Sequence, residues 1–432
     1  SRFEAIDCPS AIPCQEPAAD PRGRSERHKV GLDGTLHPLS PVGYTSTLPE
    51  GHLLRRDEPP LMQGGNDGYS VLVRGPAARP YIDSWALASE GAAREVRQLI
   101  VLPKESDKRT VVPSVRWRPL VSSGRFQIAF PPSQLPDIWR LRAALTSAFG
   151  GLPDIIHTHF YSDALRLSRL ARKHGIPHVH TEHSSRLLDP NNPPTDLGMR
   201  FLKEVLSHAT HVVAVSEVLA QRLRSISPGT PLSVVPNPVA VPPSMAGPAS
   251  EAGDELVIAV VGSLNRRKRP ELALRSFAIA KERLKHRRLI LSFVGAGPLS
   301  EHIGQVARSL GLADSVRLLG ALSHQDAMEV LGSSAVLLHC AEKETFGVVL
   351  VESAMLRTPV ISTRCGGVQD LLDENEAFDV VDPQPQAIAQ SLVDFLTHPP
   401  DSTSLQAAAS DFSIASVTSK LRSVYDSVAG SG

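Results

Sequence analysis

The sequence predicts an α/β protein made of two doubly wound parallel-sheet domains in tandem with a cleft between them. Three observations carry this. Short apolar, β-branched runs recur from residue 69 to residue 381, segments of helical period alternate with them, and a Pro/Ala/Gly/Ser-rich stretch at 238–255 cuts the series in two. Strands that are apolar nearly throughout and are separated by helices belong to parallel sheets covered on both faces.

The elements follow in order. Residues 1–66 are rich in Pro, Arg, Gly, Ser and Asp and hold no sustained apolar period, which predicts a disordered extension. "YSVLVR" (69–74), "QLIVLP" (98–103), "PDIIHTHF" (153–160), "PHVHTEH" (177–183), "THVVAVS" (210–216) and "LSVVPN" (232–237) read as strands running into loops, and "SDALRLSRLARKHG" and "LAQRLRSI" as helices between them. After the linker come "LVIAVVG" (256–262), "LILSFVG" (289–295), "VRLLG" (316–320), "AVLLHC" (335–340), "PVIST" (359–363) and "AFDVV" (377–381), with a helical pattern expected between every pair. A last helix, "SIASVTSKLRSVYDSV" (413–428), follows a Pro-rich break at 399–400.

Composition narrows the function. With Lys+Arg 45 against Asp+Glu 45, 41% hydrophobic and 21% charged residues, nothing asks for nucleic acid as a partner. No apolar run approaches the roughly 18 to 20 residues that span a bilayer, and no signal-peptide layout opens the chain, so a cytoplasmic location is expected, with a peripheral membrane contact left open. Cys8, Cys14, Cys340 and Cys365 are too scattered for a disulfide framework or a zinc site and read as reduced thiols.

In open parallel sheets ligands bind beyond the carboxyl ends of the strands, so the strand-to-loop junctions are the places to search. "EKETFGVVLVES" (342–353) follows "AVLLHC" and sets Glu344 on a loop and Glu352 in the helix opening near Phe346 or Gly347. A helix N-terminus offers unpaired N–H groups and a partial positive charge to a phosphate or a sugar hydroxyl. Taken alone, the two carboxylates could equally be a dipole-favouring residue and a solvated helix residue. Other junctions repeat the pattern: "VVGSLNRRKRPELAL" brings Gly262, then Arg266, Arg267, Lys268 and Arg269 before a helix opened by Pro270. Such a basic turn can neutralise a pyrophosphate or simply be solvated. "VGAGPLSEHI" supplies Gly295 and Gly297, and "TRCGGVQDLL" supplies Gly366 and Gly367.

In this order and spacing the motifs resemble the retaining nucleotide-sugar glycosyltransferases of the GT-B fold, family GT4, over residues 67–430. In the first half "DIIHTHF", "TEHSS", "AVSE" and "VPNPV" are similar to that family's acceptor-side landmarks. The resemblance implies a Rossmann-like acceptor domain over 67–245, a Rossmann-like donor domain over 256–400 and a C-terminal segment, 401–432, whose helix crosses back onto the first domain. It also implies a nucleotide sugar, UDP-hexose or UDP-N-acetylhexosamine, as co-substrate, with no resident cofactor and no metal. Position by position, it gives Glu344 to the sugar hydroxyls, Glu352 to the ribose, the Phe346 and Gly347 amides to the sugar or pyrophosphate, Lys268 to the pyrophosphate, and His159 to the transferred sugar from across the cleft. Gly262, Gly295, Gly297, Gly366 and Gly367 line the nucleotide. Three departures stand out. Ser263 sits where the family often has arginine, leaving a neighbour such as Arg266 to supply the charge. Arg269 replaces a glycine, and the first loop, "VRGPAARPYIDSW", has Gly75 alone. "TEHSSRLLDP" and "EVRQLIVLP" are similar to glycosyltransferases acting on a small aminocyclitol, so a small natural-product acceptor hydroxyl is expected, beside open lipid-linked, polysaccharide and inositol acceptors.

Rival readings have their own marks. "HTH" and "HVHTEH" have metal-ligand spacing, with Glu182 or Asp154 as the carboxylate a divalent-metal hydrolase would need. The bland reading makes His178 and His180 core residues and leaves His159 and His183, at strand ends, able to reach the cleft. A nucleotide-sugar epimerase would share the architecture, and the departures at Ser263 and the first loop suit a non-catalytic sugar-nucleotide binder.

Overall fold

The computed structural model describes residues 152–241, 255–368, 372 and 375–429, the strands at 28–30, 36–38, 70–76, 95–101, 119–120 and 125–130, and the helical positions Trp85, Ala88 and Ala92. Within the unit Ser1–Pro60 the described part is one antiparallel pair, β1 (His28–Val30) with β2 (Leu36–Pro38). The rest of the expectation for residues 1–66 lies outside the described residues, as does the first loop after Gly75, residues 77–84.

The unit Leu61–Gly432 holds two sheets. The first contains β3 (Ser70–Pro76), β4 (Glu95–Val101), β5 (Pro119–Leu120), β6 (Arg125–Phe130), β7 (Ile155–His159), β8 (His178–Glu182), β9 (His211–Ala214) and β10 (Leu232–Val234), in the order β10-β9-β8-β7-β3-β4-β6-β5. All its pairings are parallel except β5 with β6. Neither β5 nor β6 was legible in the sequence, because "RFQIAF" alternates polar and apolar residues and lies outside the series of apolar runs. Helices α1 (Tyr161–His174), α2 (Asp196–His208) and α3 (Glu217–Ile226) follow β7, β8 and β9. α1 ends on Gly175 in the left-handed conformation (φ 66), the usual helix stop, while the Thr195 hydroxyl caps α2 by accepting from the Gly198 N–H.

The second sheet has β11 (Glu255–Val261), β12 (Arg288–Val294), β13 (Val316–Gly320), β14 (Val336–His339), β15 (Val360–Thr363) and β16 (Phe378–Val381), all parallel and ordered β13-β12-β11-β14-β15-β16. α4 (Pro270–Arg283), α5 (Ser300–Ser309), α6 (His324–Gly332) and α7 (Val348–Met355) connect its strands, and α8 (Pro385–Thr397) follows β16. The helix expected between β15 and β16 lies largely outside the described residues. β12, β14 and β15 are buried along nearly their whole length, which is why they read as continuous apolar runs.

Beyond α8 the chain returns to the first sheet through α9 (Thr403–Ala409) and α10 (Ile414–Ala429). The Val239 N–H donates to the Phe412 carbonyl at 2.8 Å, and the Tyr425 hydroxyl of α10 meets His157 Nδ1 at 2.8 Å. Val417, Leu421, Val424, Tyr425 and Val428 are the buried stripe of α10, and they share one apolar cluster with Trp85, Val212 and Leu219. Among the described residues no helix is long and apolar enough to cross a membrane.

Candidate active site

The order of the second sheet reverses between β11 and β14, and a crevice opens where the loops after those two strands diverge. The loop after β11 starts at Gly262, whose φ of 139° favours glycine and against which the Lys268 side chain lies, 3.3 Å from where a Cβ would stand. Asn265 caps the next short turn by accepting from the Lys268 N–H at 3.1 Å. Arg269 takes the left-handed conformation (φ 48, ψ 52) at the head of α4, a conformation that favours glycine, and it sits 3.4 Å from the Glu342 carboxylate. Pro270 then occupies the first helical position, where its missing N–H costs nothing.

The loop after β14 runs from Cys340 to Gly347, which is left-handed (φ 89) and caps α7. Among the described residues nothing accepts from the Gly347 amide, which leaves it available at the helix start. Glu344 is 7% exposed, and its Oε1 lies 2.6 Å from Lys268 Nζ, 3.2 Å from Arg267 and 3.6 Å from His339 Nε2. Burial pushes its carboxyl up, but Lys268, with His339 and Arg267, more than offsets this and holds it down to about 2. Glu344 is therefore a carboxylate at any physiological pH. Glu352, one turn into α7, is 8% exposed and shares a 3.1 Å contact with His324 Nε2. Burial, only partly offset by Lys268, raises its carboxyl to about 7.

The remaining predicted positions divide. Arg266 is exposed, and it is Arg267 whose guanidinium lies 3.2 Å from the Glu344 carboxylate. At Gly295 and Gly297 a Cβ would stand 2.1 Å from the Gly262 carbonyl and 2.4 Å from the Leu264 carbonyl, so these glycines let one crevice loop lie against the other. Gly367 does the same beneath the Phe346 carbonyl, at 2.3 Å, whereas a Cβ at Gly366 would make only ordinary contact, 3.8 Å, with the Glu344 carbonyl and the Val218 side chain. The Phe346 ring is buried, edge-on to Phe412, which leaves its backbone alone for any ligand. Sequence reasoning missed His339 and His324; the first ends a strand at the crevice, a position the junction rule could have flagged.

The first sheet reverses order between β3 and β7, and His159 ends β7 there. It belongs to a group of five buried histidines on the two faces of this part of the sheet. His157 bonds Tyr425 and Thr181, His178 and His180 share the Thr158 hydroxyl, and His159 Nδ1 meets His183 Nε2 at 2.9 Å. Glu182 accepts from the backbone N–H groups of Tyr161, His183 and Ser184 and lies 3.2 Å from His180 Nε2. Burial, then neighbouring histidines, lowers His157, His159 and His178 well below the usual imidazole range, so these rings are neutral. Among the described residues no three His, Cys, Asp or Glu side chains converge as metal ligands would. The strand alternation puts His157 and His159 on one face and His178 on the other, and their partners are hydroxyls and each other. His159 Nε2 is buried without a hydrogen-bond partner.

Two family models match consecutive stretches of the chain: Glycosyltransferase Family 4 over residues 85–241, the first sheet from β4 onward, and Glycosyl transferases group 1 over residues 247–412, the second sheet with the crevice. The chain belongs to the GT-B glycosyltransferases. The gpi3 subunit of phosphatidylinositol N-acetylglucosaminyltransferase from Schizosaccharomyces pombe is 27% identical over 268 residues, covering 60% of this chain and 57% of that one. A D-inositol 3-phosphate glycosyltransferase from Nocardiopsis dassonvillei is 28% identical over 239 residues, covering 50% and 55%. The chain thus spans about half the length of the curated relatives it matches. Anabaena HepE, solved with UDP and glucose, superposes with a TM-score of 0.65 at 15% identity over 83% of this chain and 100% of that one, a likeness of fold.

Proposed function

We propose that this glycosyltransferase moves a hexose or N-acetylhexosamine from a nucleoside diphosphate, UDP in the first instance, to a hydroxyl of a small cyclitol acceptor with retention of anomeric configuration. The observation that carries the donor half is the buried contact of Glu344 with Lys268, flanked by Arg267, at the strand-order reversal of the second sheet. As the glycosidic bond breaks, negative charge grows on the departing diphosphate. Lys268, Arg267 and the Gly347 amide can stabilise it from fixed positions, so the charge balance needs no resident metal. Glu344, ionised throughout, cannot donate a proton and is suited to accepting hydrogen bonds from sugar hydroxyls. Glu352 takes the ribose hydroxyls one helical turn further on, and His159 reaches the sugar from the first sheet. The acceptor proton passes to the leaving phosphate on the same face of the sugar, so no separate protein base is required.

The acceptor half rests on names and local similarity together. Both relatives above are named for an inositol-containing substrate, and the similarity of "TEHSSRLLDP" to aminocyclitol-modifying enzymes points to the same ring chemistry. We also place the reaction in the cytoplasm, a setting that suits the buried thiols of Cys340 and Cys365.

The test is incubation with UDP-sugars, with and without inositol or aminocyclitol acceptors, followed by mass spectrometry and NMR of the products. The expected result is an acceptor-dependent α-linked product from an α-linked donor. A changed sugar without acceptor would make the protein an epimerase, and donor binding with neither transfer nor slow hydrolysis would make it a non-catalytic binder.

A further inference from the structure

Three consecutive residues of the loop after β14 are held in three different ways. The Glu344 N–H donates to the Cys365 carbonyl at 2.9 Å, and its side chain faces Lys268 and Arg267. The Phe346 carbonyl accepts from the Val368 N–H at 2.7 Å. Both ties stay within the second sheet's own loops. Thr345, between them, turns the other way: its hydroxyl donates to the His183 carbonyl at 3.1 Å, and its own carbonyl accepts from the Ser216 hydroxyl. His183 and Ser216 follow β8 and β9 of the first sheet, so Thr345 is tied to that sheet on both sides. All three residues are buried.

His183 works at both of its ends. Its carbonyl holds Thr345, while its ring meets His159 Nδ1 at 2.9 Å and stacks on that ring with centroids 5.2 Å apart. An unbroken run of contacts therefore joins His159 to Glu344 through His183 and Thr345. A hydroxyl bond of this kind fixes position more sharply than apolar contact, because donor and acceptor must align within a few tenths of an ångström.

We propose that Thr345 is a positioning residue whose double tie to His183 and Ser216 sets the distance between Glu344 on the second sheet and His159 on the first. Its bearing on catalysis rests on the function proposed above; its bearing on structure does not. Misplacement of reacting groups by a fraction of an ångström lowers the rate while leaving nucleotide contacts intact.

Two variants separate the hydroxyl from its bulk. Thr345→Val keeps the shape and removes the bond, and Thr345→Ser keeps the bond and removes the methyl. The first readout is hydrogen exchange of the segment 342–347 in the full-length protein without substrate. Exchange should quicken about tenfold in Thr345→Val and stay within about twofold of the parent in Thr345→Ser, as expected for loss of one buried hydrogen bond. The second is steady-state kinetics: kcat should fall about tenfold in Thr345→Val with donor KM and UDP affinity within about twofold, and Thr345→Ser should restore it. Unchanged exchange in Thr345→Val, equal effects of Val and Ser, or a change confined to KM would each overturn the proposal. If exchange responds as expected while the parent protein forms no product, the tie stands and the proposed function fails.

Discussion

The two strand-order reversals, one in each sheet, solve the problem of burying polar groups in opposite ways. At the second, opposite charges are brought together: Glu344 against Lys268 and Arg267, all on loops. At the first, His157, His159 and His178 are held neutral by burial on the strands themselves, with hydroxyls on His157 and His178 and the His183 ring on His159. A charged cluster at a crevice is poised to meet charge on a ligand. A group of neutral histidines on buried strands makes a rigid floor, with His159 at the carboxyl end of β7.

The sharpest way to break this contrast is to remove one charge of the pair. Lys268→Ala leaves Glu344 buried without its main counter-ion and should lower transfer by roughly 10²–10³-fold, while costing about 3–5 kcal/mol of stability. Adding Glu344→Gln should restore most of the melting temperature and none of the rate. Calorimetry and product assays on the single and double variants read the two effects apart.

Next in size is the neutral group. His157→Phe removes the hydrogen bonds to the Tyr425 and Thr181 hydroxyls and should cost about 1–3 kcal/mol in urea unfolding with little change in kcat. A pH series tests the same group. Histidines whose folded pKa is depressed bind fewer protons than the unfolded chain, so their contribution is full above about 6.5 and is lost as pH falls below it. The melting temperature should therefore fall on acidification from about pH 7 to pH 5.

Glu352 should give the opposite sign and a smaller effect. Its folded pKa, raised to about 7, makes its contribution to stability decline as pH rises through the window from its ordinary value, 4.5, to 7. If the ionised form receives the ribose hydroxyls, UDP affinity should weaken by up to about tenfold per pH unit below 7, and Glu352→Gln should bind weakly and without that dependence. Isothermal titration at several pH values decides. The smallest expected effect is that of a chelator, which should change transfer by less than about twofold if fixed cations carry the diphosphate charge.

Much of this was legible in the sequence, for physical reasons. Buried parallel strands must be apolar throughout, so β11, β12, β14 and β15 stood out, and loops at their carboxyl ends carried the Glu344 and Lys268 motifs. β6 did not stand out, because it alternates. Arg267 could not be told from Arg266, since which arginine of a basic turn points inward depends on the short helical turn capped by Asn265. The roles of Gly295, Gly297 and Gly367 in loop packing were likewise hidden, because a glycine that admits a neighbouring backbone and one that admits a phosphate look alike in sequence. Thr345, an ordinary polar residue between two motif positions, gave no signal at all.

The contact between Glu344 and Lys268 is the centre of the account, and Glu344→Gln tests it most directly because the side chain keeps its shape and loses only its charge. Transfer from a UDP-sugar to a cyclitol acceptor, measured at pH 7 in parent and variant, should fall at least about 10²-fold in the variant while UDP still binds. A Glu344→Gln protein that folds and transfers sugar at the parent rate would contradict the assignment of this crevice as the donor site.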